Sequence, residues 1–225
     1  MATNQAVAPS TAPNLSFNFM RVLSIPWLDR AIASIACIPL AYLVYHRYVH
    51  MHHGIPLIAM SLNMLILIVT MIIRRPPMRV TPNPFYWLLA FVASYWQTII
   101  LTFLQQGRPL VADWITNLLA AIGLMIVIWA RLSLGRNIGF VPAQRELVDT
   151  GAYAYVRHPV YTSILFAHTA FVLHAYSPLN ALLVGLGAFW FIPVKSLVEE
   201  DFLHHDPQYG AYMQRVRARW IPFVI

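Results

Sequence analysis

Charge is what this sequence has least of. Of its 225 residues only 10% are charged, and 59% are hydrophobic; an average soluble domain carries about 25% charged residues. A deficit of that size excludes an ordinary water-facing surface and implies that lipid solvates much of the chain. Cysteine is nearly absent: Cys37 is the one thiol, which excludes an internal disulfide framework and a cysteine-based metal site. There is no glycine-rich phosphate loop either. Gly185 and Gly187 form a Gly-x-Gly inside an apolar run with no strand before it, so they suit close helix packing rather than a dinucleotide fingerprint. Nor does a basic start precede an apolar stretch, as a cleavable signal would require. Met1 to Asn14 is polar and reads as a disordered tail.

What is present is a series of apolar runs. Leu15 to Trp27 is too short to span a bilayer and fits an interfacial helix ended by Pro26. Six longer stretches follow, at Leu28–Tyr48, Ile55–Ile73, Pro84–Leu104, Trp114–Leu132, Val160–Ala175 and Leu179–Val198; a spanning helix needs about 20 residues, with roughly 17–25 as the range. Pro178 separates the last two by a tight turn, which predicts a helical hairpin. Pro39 and Pro193 fall inside spans, where neighbouring helices can satisfy the freed carbonyls. The expected architecture is all-α: a polytopic integral membrane bundle of about six transmembrane helices, with residues 28–225 forming one membrane domain. The basic residues fix its orientation. With the N-terminus cytoplasmic, all but Arg47 and Arg108 of the 15 Lys and Arg face the cytoplasm, a strong positive-inside bias. The same distribution turns the net charge of +7 away from nucleic acid, because the basic residues punctuate apolar runs instead of massing on one face. Both termini then lie on the cytoplasmic side, and so do the 131–159 loop and the C-terminal segment. In that segment Asp206 can cap a surface helix that Pro207 begins, with Tyr209, Tyr212, Met213, Val216 and Trp220 at helical spacing.

Two constellations on that face carry chemistry. In Leu147 to Tyr161, Arg157 and His158 stand immediately before Pro159, a residue suited to begin a helix. A ligand carboxylate could use the backbone N–H groups of that helix start together with Arg157, although a span-end arginine and a capping histidine are the blander account. Some forty residues on, Lys195 and Glu199 share one helix face, with Glu200 turned aside. Ionisable residues near the end of a span are functional candidates. The two patches, residues 131–161 and 195–222, are expected to form one site.

The string Leu147-Val148-x-x-Gly151-x-Tyr153-x-x-x-Arg157-His158-Pro159-x-Tyr161 resembles the isoprenylcysteine carboxyl methyltransferase family, as do Glu199-Glu200-x-x-Leu203, Tyr209-x-x-Tyr212-x-x-Arg215-Val216 and Pro222-Phe223. The resemblance covers roughly the last third of the chain. It implies a membrane enzyme that uses S-adenosyl-L-methionine without a Rossmann domain. Carried over by position, the cofactor contacts are Arg145, Glu146, Leu147, Val148, Tyr153, His158, Pro159, Val160, Tyr161 and Glu199. Lys195, Glu200 and Arg157 are the candidate catalytic residues, and Lys195 stands where the family has a basic residue near the substrate. The implied acceptor is a lipophilic small molecule or lipid entering from the bilayer. Carboxylate, phospholipid amine and thiol are all open as the methylated group, and Lys195 points toward an anion. An ionised carboxylate needs no strong general base, so holding it in line with the methyl is the main task, an effect worth up to about 7–11 kcal/mol.

Two rival readings exist. Membrane sterol-type reductases, which use NADPH, are similar in their Arg-His-Pro-x-Tyr string, but continue with Gly-Glu where this chain has Thr162-Ser163. A non-catalytic membrane binding protein would scatter polar residues through several spans, whereas here they collect on one face. His46, His50 and His53 share a helical face at a spacing that can bind zinc, but on the non-cytoplasmic side, and no metal is assigned. Compact size and short loops suggest a multi-pass protein of a prokaryotic inner membrane.

Overall fold

The computed structural model describes residues 26–50, 55–81, 83–103, 105–139 and 143–221. The expected tail at 1–14, most of the interfacial helix at 15–27, His52, His53 and the Pro222-Phe223 pair lie outside these residues. The helices are α1 Pro26–His50, α2 Ile55–Ile72, α3 Pro84–Phe103, α4 Asp113–Leu134 and α5 Pro159–His174. A continuous rod follows, made of α6 Pro178–Leu186, a π-helical turn Gly187–Phe191 and α7 Ile192–Leu203; α8 Pro207–Arg215 ends the series. Among the described residues the strands form a two-residue ladder in which β1 Arg79–Val80 pairs antiparallel with β2 Ala143–Gln144.

Local sequence explains the boundaries. Ser177 accepts from the Asn180 amide at the start of α6 and Asp206 from the Gln208 amide at the start of α8, each with a proline as the next residue. The π turn sits directly before Pro193, where a proline ring would press on the carbonyl four residues back; widening the turn relieves that contact. At Gly151 the backbone has φ +59°, which only glycine adopts freely, and the chain turns there into a short 3-10 helix, Gly151–Ala154.

Helices α4 (Asp113–Leu134) and the rod Pro178–Leu203 are long and apolar enough to cross a membrane. Shorter apolar stretches, Ser34–Leu43, Ile58–Ile72 and Pro84–Ala93, lie in α1, α2 and α3. The core is built from facing apolar sides. Cys37, Leu40, Met64, Ile68 and Met71 join α1 to α2, and Met60, Ile100, Ala167, Phe171 and Leu183 join α2, α3, α5 and α6. Cys37 is a buried small apolar residue.

The connecting loops pair at opposite ends of the bundle. At one end, Arg108 and Tyr176 exchange backbone hydrogen bonds of 3.0 and 2.9 Å. Beside them the fully buried Asn180 accepts from the Gln105 amide and donates to the Gln105 and Ala175 carbonyls. At the other end, the β1–β2 ladder and a bond from the Arg75 amide to the Arg136 carbonyl tie the 73–83 loop to the 135–150 loop. The functional candidates collect at that second end.

Candidate functional site

The two distant patches meet. Glu200, 4% exposed, accepts from Arg157 Nε at 2.7 Å, from Arg219 Nε at 2.9 Å and from His158 Nε2 at 3.0 Å. A carboxylate oxygen can only accept, so Nε2 of His158 carries a proton. Arg157 also donates through Nη1 to the carbonyls of Val216 and Arg217, both at 2.8 Å. The backbone repeats the connection: the Arg157 and His158 amides bond to the carbonyls of Ala218 and Arg219 at 2.9 and 2.8 Å. Thr162 Oγ1 adds a bond to the Trp220 carbonyl. Residues 216–220 are thus fastened across the mouth of α5.

Three expectations can be set against this arrangement. At the start of α5 the Tyr161 and Thr162 amides bond to the His158 carbonyl, and the Arg157 and His158 amides just before the helix bond to the C-terminal strip, so four amides a ligand carboxylate could use are already taken. His158 does not cap the helix with its side chain; the ring turns to Glu200 instead. Glu200, expected at the reacting centre, lies off the cavity wall described next, as does Pro159. One residue along a helix is a rotation of about 100°, so Glu199 faces the cavity while Glu200 faces the buried arginines.

The cavity, about 270 Å³, runs inward from this brace, near the lower end of the roughly 300–1,000 Å³ usual for small-molecule pockets. Its outer wall is Arg145, Glu146, Leu147 and Val148, with Tyr153, Tyr209 and Tyr212. Leu147 packs against the cluster of Tyr209, Tyr212 and Val216, and the Tyr212 hydroxyl donates to the Tyr153 carbonyl at 2.8 Å. Burial raises the phenol pKa of Tyr153, Tyr209 and Tyr212, so all three stay neutral donors. Glu146 is exposed and paired with Arg75, and Arg145 Nε donates to the Arg75 carbonyl at 3.3 Å. Further in, the Tyr161 hydroxyl bonds to both Glu199 oxygens at 3.0 and 2.9 Å, and its ring stacks on His158 with centroids 5.3 Å apart. Lys195 Nζ lies 5.9 Å from the Tyr161 ring centre. The deep end is lined by Asn63, Trp96, His168, Gly187 and Phe191. The π turn shapes it: Trp96 and Phe191 rings lie 4.3 Å apart, and a Cβ at residue 187 would come within 2.8 Å of Trp96. Gly187 therefore does serve close packing, whereas Gly185 has nothing near it.

Sequence reasoning did not anticipate Asn63 or His168 as wall residues, and it included Arg131 and Asn137 only as part of the 131–161 patch. Arg131 reads as a positive-inside charge at the end of a span, and it is also 9% exposed and on the cavity. Among the described residues six buried side-chain polar atoms have no partner, and four of them belong to cavity residues: Arg131 Nε, Asn137 Oδ1 and both ring nitrogens of His168. Leaving such an atom unmet costs about 1–3 kcal/mol, so their concentration around one cavity marks a place built to meet a ligand. Of the proposed zinc face, His46 is exposed, and no group of three metal-binding side chains occurs among the described residues.

Residues 111–210 match the family model described as Phospholipid methyltransferase. The match runs from the start of α4 into α8; it contains the 131–161 patch and the second patch as far as Gly210, with the strip 216–220 beyond it. It supports a membrane methyltransferase; the matched family is itself related to the isoprenylcysteine carboxyl methyltransferases. No curated protein matches the chain.

Proposed function

We propose that this protein is a six-span membrane enzyme that transfers a methyl group from S-adenosylmethionine to a lipophilic acceptor at the cytoplasmic face. The observation that carries the reading is the cavity around which buried side-chain polar atoms of Arg131, Asn137 and His168 lack partners among the described residues. The donor set suits the cofactor. Arg145 would hold a carboxylate, Glu199 an ammonium or ribose hydroxyls, and Leu147 and Val148 an adenine face. Tyr153 and Tyr161 would present ring faces to a cation, worth about 0.5–2 kcal/mol. When bound, S-adenosylmethionine supplies a methyl on a sulfonium that needs no further activation.

The chain's own residues then hold and shield. Lys195 and Arg131 would orient an anionic acceptor group. Arg157, His158 and Glu200 act as positioning residues, fixing the strip 216–220 so that water is kept from the outer end. The acceptor's chain would lie toward Trp96 and Phe191. The topology rests on the loop pairing at the two ends of the bundle, as alternating crossings require, and on large apolar side chains exposed along the helices, such as Leu88, Met125, Leu132 and Phe189.

Titration calorimetry of the detergent-purified chain tests the reading. Heat on adding S-adenosylmethionine and none on adding NADPH is expected; a response to NADPH alone overturns it in favour of a reductase.

A further inference from the structure

His168 is the most isolated polar group in the cavity. It is 3% exposed, sits in the middle of α5, and neither ring nitrogen has a partner among the described residues. It is not part of the brace or of the polar outer wall. Its neighbours at the deep end are Asn63, Trp96 and Gly187, whose Cβ position lies 3.9 Å from His168 Cε1. Trp96 gives its own N–H to the Leu183 carbonyl at 2.8 Å, so that indole leaves the imidazole unanswered. Tyr161 and His168 are seven residues apart on one helix and both line the cavity, which separates them by two turns, about 10 Å. The outer of the two levels holds Lys195 and Glu199. An acceptor with its anionic head at Lys195 and Arg131 therefore carries its chain past His168.

A plain hydrocarbon chain would leave both ring nitrogens as unmet as they are now. A neutral imidazole offers one donor and one acceptor, so it can meet a hydroxyl through either nitrogen and a ketone or ester carbonyl through its N–H. We propose that His168, together with Asn63, is an acceptor-recognition point that hydrogen-bonds an uncharged polar group carried within the acceptor's apolar chain. The substrate class is then an anionic amphiphile with a hydroxyl, keto or ester oxygen roughly 10 Å from its head, not one with an unbroken hydrocarbon tail. This rests on reading the cavity as the acceptor chamber.

The test uses two probes that differ only in that group, stearate and 10-hydroxystearate. Their equilibrium binding to the full chain in detergent micelles is measured against empty micelles. The hydroxylated probe should bind tighter by roughly fivefold, the scale of one neutral hydrogen bond. That preference should vanish in His168→Phe and survive in part in His168→Gln, which keeps a donor and an acceptor. Equal binding of the two probes to the unmodified protein, binding of neither, or an unchanged preference in both variants overturns the inference. S-adenosylmethionine calorimetry on the same samples separates the two readings. A hydroxyl preference without cofactor binding keeps this subsite and removes the methyltransferase, and the reverse result does the opposite. If His168→Phe fails to fold, the preference of the unmodified protein and of His168→Gln decides.

Discussion

The brace around Glu200 and the wall of the cavity are built from the same kinds of residue and differ in completeness. In the brace every charged group described has its partners: Glu200 meets two arginines and a histidine, and Arg157 divides its guanidinium between a carboxylate and two carbonyls. In the cavity Arg131 Nε and both nitrogens of His168 have none. Buried polar groups normally find partners, so a satisfied cluster reports architecture and an unsatisfied one reports a missing ligand. Neighbours in sequence, Glu199 and Glu200 both have partners, but Glu199 meets Tyr161 on the cavity side while Glu200 meets the buried arginines.

The comparison breaks most visibly at Glu200. Glu200→Ala strands Arg157, His158 and Arg219 in a buried place, a loss of about 3–5 kcal/mol, and thermal unfolding in detergent should show a much lowered midpoint. Arg131→Met should do the reverse: the melting midpoint holds, while stearate binding weakens by roughly tenfold to a hundredfold, the worth of a hydrogen bond to a charged group. If instead the midpoint collapses, Arg131 belongs with the brace. The smallest effect is expected at Arg215, whose ion pair with Asp149 is solvent-exposed. Arg215→Ala should change stability by less than about 1 kcal/mol, measured by the same melting curve, and leave the cofactor heat unchanged.

Much of the scaffold was readable from the chain. The apolar runs mark the helices, Pro178 marks the break between the last two, and Asp206-Pro207 and Pro159 mark starts, because these signals are local. The meeting of residues 145–161 with 195–220 was also legible, through charge placement and the resemblance together. What sequence could not show depends on rotation and depth. Whether Glu199 or Glu200 faces the ligand turns on the angle of one helix. Arg131 as a boundary charge and Arg131 as a cavity wall look the same in one dimension. The π turn at Gly187–Phe191 has no periodicity of its own, so the chamber beside it and the role of His168 were hidden.

One consequence follows from the fastening of residues 216–220 to the mouth of α5. A ribosome makes Arg157 and Glu200 well before Val216, and until that stretch emerges the buried cations lack the carbonyls that complete their shell. The shell around Arg157 is therefore among the last parts of the fold that can close, after every helix from α1 to α7 has been made.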